Sequence, residues 1–439
     1  MFQVLKLLGC GATMLVALMA LYSSTTSLLG SAFITATIGV RQGSPTSCFL
    51  FILFVDVLIR RLKACPDDGW LKWLHSLMLM DDTVIFATTR ERMAEKLSIL
   101  EEYCSEYGMI VNEAKTKFMA INGDEEDKQP FHVGQFSVRH CDSYTYLGVI
   151  VTSDGRAESS LKAHVDDKLT HLNKLTVFLA ANYDAPFHVK KKVFEAAFSS
   201  AILYSCEAWL KVPLRSIEAL YTAAVKSLLS VRPTASNDLC LVEAGLPAVT
   251  ALIRSRQAKF LSQAFESRAS IEDDPLMFAM QLTEIANKPL FRKILEIKVS
   301  SDHIAADLAA RQCAIRAKSG SKFKKYLEIN PTLSVHRIYV DRHSLPDNLR
   351  ITFTRFRTSS HRLRVELGRW SRTPQEQRVC VCGTGEVQDE AHLFVCQRTL
   401  NTRRRAGFTG GYLDLSNDAS LTNLIMLKDC LALLEDQKE

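Results

Sequence analysis

The sequence predicts an α+β protein that is mostly helical. Short runs rich in branched and aromatic residues, bounded by turn residues, gather before Val151 and read as strands. From Ser159 onward apolar residues recur at helical spacing, over Leu161 to Ala181, Lys190 to Leu210 and Ser216 to Ser230. At 439 residues the chain is long enough for two or three domains with a substantial core.

Taken in order, Leu5 to Tyr22 reads as one helix, and Phe33 to Ile38 as a strand. The stretch Gly39 to Pro45 is a loop bounded by glycine and proline. Phe49 to Leu62 is a strongly apolar helix with Asp56 inside it. Arg60, Arg61 and Lys63 crowd its C-terminal end, where cations complement the helix dipole. Thr89 caps a helix that Met93, Leu97, Leu100, Cys104 and Tyr107 carry forward and Gly108 ends. Met109 to Ile121 predicts a strand, a turn and a second strand. Phe131 to Val138 predicts a strand pair, and Tyr144 to Val151 closes the β-rich part. Pro233 and the polar run at Ser236 mark a boundary. Helices continue to about Tyr326, a basic segment leads to Cys380, and a Leu-rich tail ends the chain. There is no internal repeat.

The chemistry centres on Leu77 to Ala87, Leu-Met-Leu-Met-Asp-Asp-Thr-Val-Ile-Phe-Ala. Asp81 and Asp82 lie between two strand-like runs, which a tight turn makes a hairpin with the acids at its tip. Adjacent carboxylates repel, so acids framed by this much apolar sequence point to a divalent metal. Three other Asp-Asp pairs, at Asp67, Asp166 and Asp273, sit in polar or helical settings and read as solvated.

Lys and Arg number 54 against 48 Asp and Glu, a net charge of +6, which is compatible with a nucleic-acid partner. The distribution says more: Arg350 to Arg405 holds twelve arginines, no lysine and five acids. One reading is a solvated face; the other is phosphate binding, since guanidinium forks onto phosphate. The twelve cysteines mostly stand singly in apolar runs, as Cys48, Cys104 and Cys206 do. That is buried-thiol usage and implies a reducing, intracellular setting, nucleus or cytoplasm. Met1 to Val40 carries one charge, Lys6. Leu7 to Leu21 is as apolar as a membrane anchor but shorter than the ~20 residues of a span. It is interrupted by Gly9, Gly11 and Thr13, so a buried core helix is expected rather than a membrane anchor.

Two acids at a hairpin, a Gln-Gly loop before them and a lysine after them suggest phosphoryl transfer, in which carboxylate-held metal ions activate the attacking oxygen. The pieces closely resemble the reverse transcriptase of non-LTR (LINE-type) retrotransposons. Gly39-Val-Arg-Gln-Gly-Ser-Pro-Thr-Ser47 with Leu50-Phe51 resembles the family's loop-and-helix segment. The resemblance implies that Arg41, Gln42 and Gly43 lie near nucleotide and template. Met80-Asp-Asp-Thr83 is similar to the catalytic hairpin, implying Mg2+ on Asp81 and Asp82. Gly108, Asn112 and Lys115-Thr-Lys117 match the segment that follows, making Lys115 a candidate catalytic residue, with a solvated turn as its alternative. Tyr146, Leu147 and Gly148 match the hairpin that grips the primer end.

The family pairs the two acids with a third carboxylate on an earlier strand. No Asp or Glu precedes Asp56 here, and Asp56 lies inside a helix. Leu79 replaces the usual aromatic residue and Cys48 the usual proline. The expectation is a truncated, catalytically defective reverse transcriptase that binds RNA and DNA. The alternative is a non-enzymatic, zinc-dependent nucleic-acid-binding protein on a passive palm.

The second candidate site is Cys380-Val-Cys382-Gly383 with His392 and Cys396. On a helix, His392 and Cys396 share a face, and with two thiolates from the Cys-Gly turn they make a tetrahedral zinc set. Three ordinary thiols and a lone histidine are the alternative. Metal is expected to order this segment, which is too short for its own core. Arg355, Arg357, Arg362, Arg364, Arg369 and Arg403 to Arg405 flank it, and retroelements of this class carry a similar knuckle near the C-terminus. The chain then divides into a partial reverse transcriptase palm (1–151), thumb-like helices (152–232), a helical connector with the basic segment (233–375), a zinc knuckle (376–405) and a tail (406–439). Trp70, Trp73 and Trp209 read as packing. So does Trp370, with stacking on a base as its alternative.

Overall fold

The computed structural model describes residues 2–23, 25–36, 44–65, 67, 74–268, 277, 279–280, 283–284, 287–299, 302–340 and 345–435. Arg41, Gln42, Gly43, Trp70 and Trp73 lie outside them. The chain divides into two compact units, residues 1–156 with 268–282, and residues 157–267 with 283–439. Among the described residues strands are confined to the first, so the α+β, mostly helical expectation holds.

In the first unit the N-terminal segment is two helices, α1 (Phe2–Leu7) and α2 (Ala12–Tyr22), instead of one. Gly9, at φ +84°, takes the left-handed conformation that ends α1. Nor is the segment a buried core helix. Tyr22 is the buried residue of α2, while Met14, Val16, Met19 and Leu21 are exposed. No helix among the described residues is long and apolar enough to cross a membrane. The run at Thr25, which looks polar in the sequence, is strand β1 (Thr25–Leu29), paired antiparallel with β2 (Ala32–Ala36).

Helix α3 (Pro45–Lys63) starts at a proline, which suits the first turn because its missing N–H has no helical partner. The Tyr22 hydroxyl ties down that turn through Thr46 Oγ1 at 2.7 Å and Ser47 Oγ at 3.2 Å. Cys48 is exposed here rather than buried, whereas Cys104 and Cys206 are buried as expected. Strands β3 (Ser76–Leu79) and β4 (Asp82–Ile85) form the acidic hairpin. Helix α4 (Arg90–Tyr107) begins where Thr89 Oγ1 accepts from Arg92 N at 3.2 Å and ends at left-handed Gly108. Val55, Leu58 and Leu62 of α3 pack on Tyr103 and Cys104 of α4, with Met78 and Ile85 of the hairpin against them.

Beyond α4 the strand expected at Met109 is absent. Its backbone enters a turn, Thr116 N donating to Asn112 O at 2.9 Å. Strand β5 (Lys117–Phe118) runs parallel to β7 (Phe136–His140), which pairs antiparallel with β6 (Phe131–Val133). Strands β8 (Ser143–Tyr146) and β9 (Val149–Thr152) form a separate hairpin.

The second unit is helical. Helix α5 (Ala157–Ala181) and helix α6 (Phe187–Val193), which continues through a π-turn at Phe194–Ser199, pack with the helix Arg215–Leu229. Phe194, Phe198, Ile202, Tyr221 and Val225 are sealed between them. The same apolar cluster takes in Phe353 and Phe356 of the helix Asp347–Arg357, and Leu424, Leu427 and Cys430 of the helix Leu421–Glu435. The Leu-rich end of the chain is therefore a core helix.

Candidate metal centre

In the first unit, Leu79 pairs with Asp82 and the chain turns through Met80 and Asp81. Met80 sits at φ +55°, a left-handed conformation costly for a side-chain-bearing residue. The acids are at the tip, as the sequence implied, but both are exposed rather than enclosed. The inner residues Met78 and Ile85 meet the α3–α4 core, while Leu77 and Leu79 face out. Among the described residues neither carboxylate is held in an ion pair, so their oxygens are available as hard ligands of the kind Mg2+ takes. Asp56 is not part of this set: it pairs with Arg60 Nε at 2.6 Å along its own helix.

Tyr146 ends β8, and Leu147 (φ +48°) and Gly148 (φ +79°) make its turn. Burial first, and then the Asp82 charge, push the Tyr146 phenol above its ordinary pKa. The two hairpins thus lie within electrostatic reach of each other. Lys115 is exposed; its carbonyl accepts from the Tyr144 hydroxyl at 2.9 Å. Lys117 lies in β5 opposite Arg139.

Asp67 departs from its sequence reading. It is buried, not solvated, and bonded to the Lys96 ammonium. Thr88 also donates to it, from N at 2.8 Å and Oγ1 at 2.9 Å. Burial alone would raise this carboxyl's pKa, but the hydrogen bonds from Lys96 and Thr88 outweigh it and hold the value below the ordinary range.

In the second unit the four sequence-predicted ligands come together. The donor atoms of Cys380, Cys382, His392 and Cys396 all lie within 4.8 Å of one another. Cys380 Sγ and Cys396 Sγ are 3.8 Å apart, and Cys382 Sγ and His392 Nε2 3.4 Å apart. Two sulfurs ~2.3 Å from a tetrahedral zinc would be ~3.8 Å apart, so the set already has about the edge length of such a site. The local fold explains the arrangement. Val379 and Val387 bridge, and Cys380 N donates to Glu386 O at 2.8 Å, closing the Cys-Val-Cys-Gly turn at Gly383 (φ +85°). His392–Phe394 is a single 3-10 turn rather than an α-helix. Cys396 still returns to the histidine's side because its N–H donates to His392 O at 2.8 Å.

Two further residues, unseen in the sequence reading, complete this site. His392 Nδ1 lies 2.7 Å from Glu386 Oε2. An ionised carboxylate only accepts, so Nδ1 carries the proton and Nε2 is left as the ligand atom. Gln388 Nε2 donates to Cys380 Sγ at 3.8 Å. The Cys382 thiol is drawn down to about 6, first by its hydrogen bond with Thr384, whereas burial pushes Cys396 up to about 11. The cluster is not a free-standing knuckle. Cys380, Leu393, Phe394 and Cys396 belong to the same core as Phe356 and Leu427.

The flanking arginines divide. Arg357 is fully buried, its Nε on Glu243 Oε1 at 2.9 Å. Arg350 is buried on Asp347 at 2.5 Å. Arg378 and Arg403 donate to backbone carbonyls, and Arg369 pairs with Glu366. These are structural, contrary to a reading of the whole run as a phosphate-binding face. Arg355, Arg362, Arg372, Arg404 and Arg405 remain exposed. Trp209 is packed in the core, but Trp370 is 42 % exposed, with the Arg232 guanidinium 3.5 Å over its ring.

Residues 3–151 match the family described as reverse transcriptase (RNA-dependent DNA polymerase). A retrovirus-related Pol polyprotein from type-1 retrotransposable element R2 of Nasonia vitripennis is 35% identical over 130 residues, 27% of this chain and 12% of the relative. One from type-2 element R2DM of Drosophila melanogaster is 31% identical over 149 residues, 31% of this chain and 14% of the relative. A putative 115 kDa protein of the R1DM element from the same fly is 23% identical over 181 residues, 41% and 17%. The chain spans less than a fifth of the length of these curated relatives. Over residues 3–151, then, the chain is similar to the reverse-transcriptase family and to the Pol polyproteins of R2 retrotransposable elements.

Proposed function

We propose that this chain binds RNA and DNA, and that residues 1–439 alone do not carry out templated DNA synthesis. The observation that supports the reading most is the pair Asp81 and Asp82, exposed at the tip of a two-residue turn within the reverse-transcriptase match. Their oxygens suit Mg2+, which when bound neutralises charge on a transferring phosphate. The β8–β9 turn of Tyr146, Leu147 and Gly148 would hold a primer end near Asp82. Lys115 would meet the strand backbone, and Arg41, Gln42 and Gly43 the nucleotide.

Two carboxylates are fewer than the three that the family resemblance implies. No Asp or Glu precedes Asp56 in these residues, and Asp56 is committed to Arg60. The Cys3His cluster supports zinc as a second, structural metal: three thiolates and an imidazole are its characteristic ligands. The test is primer extension on an RNA template, alongside binding of labelled single-stranded RNA. Binding without extension is expected. Nucleotide incorporation that is lost in Asp81→Asn would overturn the inactive reading, and absence of any RNA binding would overturn the rest.

A further inference from the structure

The second unit contains a cavity of about 510 Å³ between the helix Asp347–Arg357 and the helix Leu421–Glu435. Small-molecule sites commonly occupy ~300–1,000 Å³. Four cationic side chains line it, Arg232, Arg355, Arg362 and Lys428, against the one carboxylate of Glu435. That carboxylate is already engaged, accepting the Arg362 backbone N–H at 2.5 Å.

Two of the cations are held in place rather than neutralised. Arg355 Nε donates to Ser230 O at 2.8 Å, and Arg232 Nη2 to His361 O at 2.9 Å while its guanidinium lies on Trp370. Burial, and next the Arg362 charge, lower the Arg232 pKa, as expected where like charges converge. Among the described residues two of these donors meet no acceptor. Arg232 Nη1 is buried without a hydrogen-bond partner, and so is the Oγ of Ser360, a cavity-lining residue only 3% exposed. An unsatisfied buried polar group costs ~1–3 kcal/mol, and preorganised cations that repel one another add to that. An anion with several acceptor oxygens relieves both. A backbone phosphate suits this set, because its two charged oxygens match guanidinium forks and its two ester oxygens leave further acceptors for an ammonium or a hydroxyl.

We propose that this cavity binds a backbone phosphate of a single-stranded nucleic acid, with Arg232, Arg355, Arg362, Lys428 and Ser360 as its donors. The proposal rests on the reading that the chain binds RNA or DNA, and names where the strand is held.

The test uses the full chain, a fluorescent mixed-sequence 12-mer RNA, and inorganic phosphate as a separate probe. The variants are Arg362→Gln and Lys428→Gln, singly and together; both residues are exposed, which favours retention of the fold. Each single change is expected to weaken RNA binding about 3–10-fold near 0.1 M salt. The double change should also reduce the slope of log K against log salt by ~0.7, the contribution of one single-strand phosphate contact. Unchanged affinity and slope in the double variant overturn the proposal. So does protection of the Ser360 region from hydrogen exchange by millimolar phosphate but not by RNA, which would make this a free-phosphate site. Cys396→Ser, run in parallel, separates the two readings. RNA binding lost there but kept in the double variant removes the cavity and leaves nucleic-acid binding standing. No binding by the unaltered chain removes both.

Discussion

The Lys96 ammonium donates to the Asp67 carboxylate with both side chains fully buried. Lys96 also donates to Phe86 O at 2.6 Å, and Thr88 donates twice to Asp67. The pair therefore fastens the end of the acidic hairpin to α4. Removing one partner leaves an uncompensated charge, so Lys96→Met is expected to cost about 3–5 kcal/mol, and Lys96→Met with Asp67→Leu distinctly less. The pH dependence follows from the carboxyl's lowered folded-state pKa. The stabilisation is complete above the unfolded value of ~3.9 and disappears as pH falls through the lower folded value. Hydrogen exchange of α4 amides, followed from pH 6 downward, checks this. Equal protection at pH 6 and in Lys96→Met would show the pair to be dispensable.

The Asp67–Lys96 pair leaves no local mark in the sequence. Asp67-Asp68 stands among Pro66, Gly69 and other turn-forming residues, and nothing local distinguishes a solvated acid from one buried against a lysine 29 positions on. Where the signal was local, it was legible: the Thr89 cap, the Gly108 stop and the two-residue acidic turn appear where their spacing put them, and Cys380, Cys382, His392 and Cys396 come together, though on a 3-10 turn and not the expected helix. Long-range packing was not. The arginines from Arg350 to Arg405 look alike in sequence, yet Arg357 is buried by Glu243, 114 residues earlier. The exposed side chains of α2 and the absent strand at Met109 are failures of the same kind, since local apolarity does not say what will cover it.

The Arg357–Glu243 pair separates the structural arginines from those proposed to bind phosphate. Tyr326 also donates to Glu243, at 2.6 Å, and its ring lies under the Arg357 guanidinium. Arg357→Met is expected to destabilise the second unit by about 3–5 kcal/mol, with Glu243→Gln in the same chain recovering part of it. Chemical denaturation measures both. If Arg357→Met instead left stability intact and steepened or flattened the salt dependence of RNA binding, the arginine would belong to the interface.

Leu147 occupies a left-handed position, φ +48°, directly before Gly148 at φ +79°. Two consecutive positive φ values are those of a tight hairpin turn that favours asparagine or glycine first. Leu147→Asn should therefore stabilise the β8–β9 hairpin by roughly 1 kcal/mol. Slower amide exchange across Tyr146 and Val149 is the expected result; faster exchange would mean that the leucine side chain contributes packing worth more than the strain.

Glu386 holds the proton on His392 Nδ1 and so presents Nε2 to the three sulfurs. It does not itself belong to the ligand set, so its role is positioning. Partners of this kind typically contribute 10–100-fold to metal affinity, and Glu386→Gln is expected to weaken zinc binding by about that factor while keeping one zinc per chain. Gln can still accept the Nδ1 proton, but without the negative charge that strengthens the imidazole as a donor to metal. Glu386→Ala, which removes the acceptor as well, should fall further. Zinc competition with a chromophoric chelator gives the affinities, and the thiolate-to-metal absorption of a cobalt-substituted chain reports the coordination geometry. A spectrum that keeps its tetrahedral form in Glu386→Gln while affinity drops is the signature of a positioning residue. Unchanged affinity in both variants would show that the core packing of Cys380 and Cys396 alone organises the site.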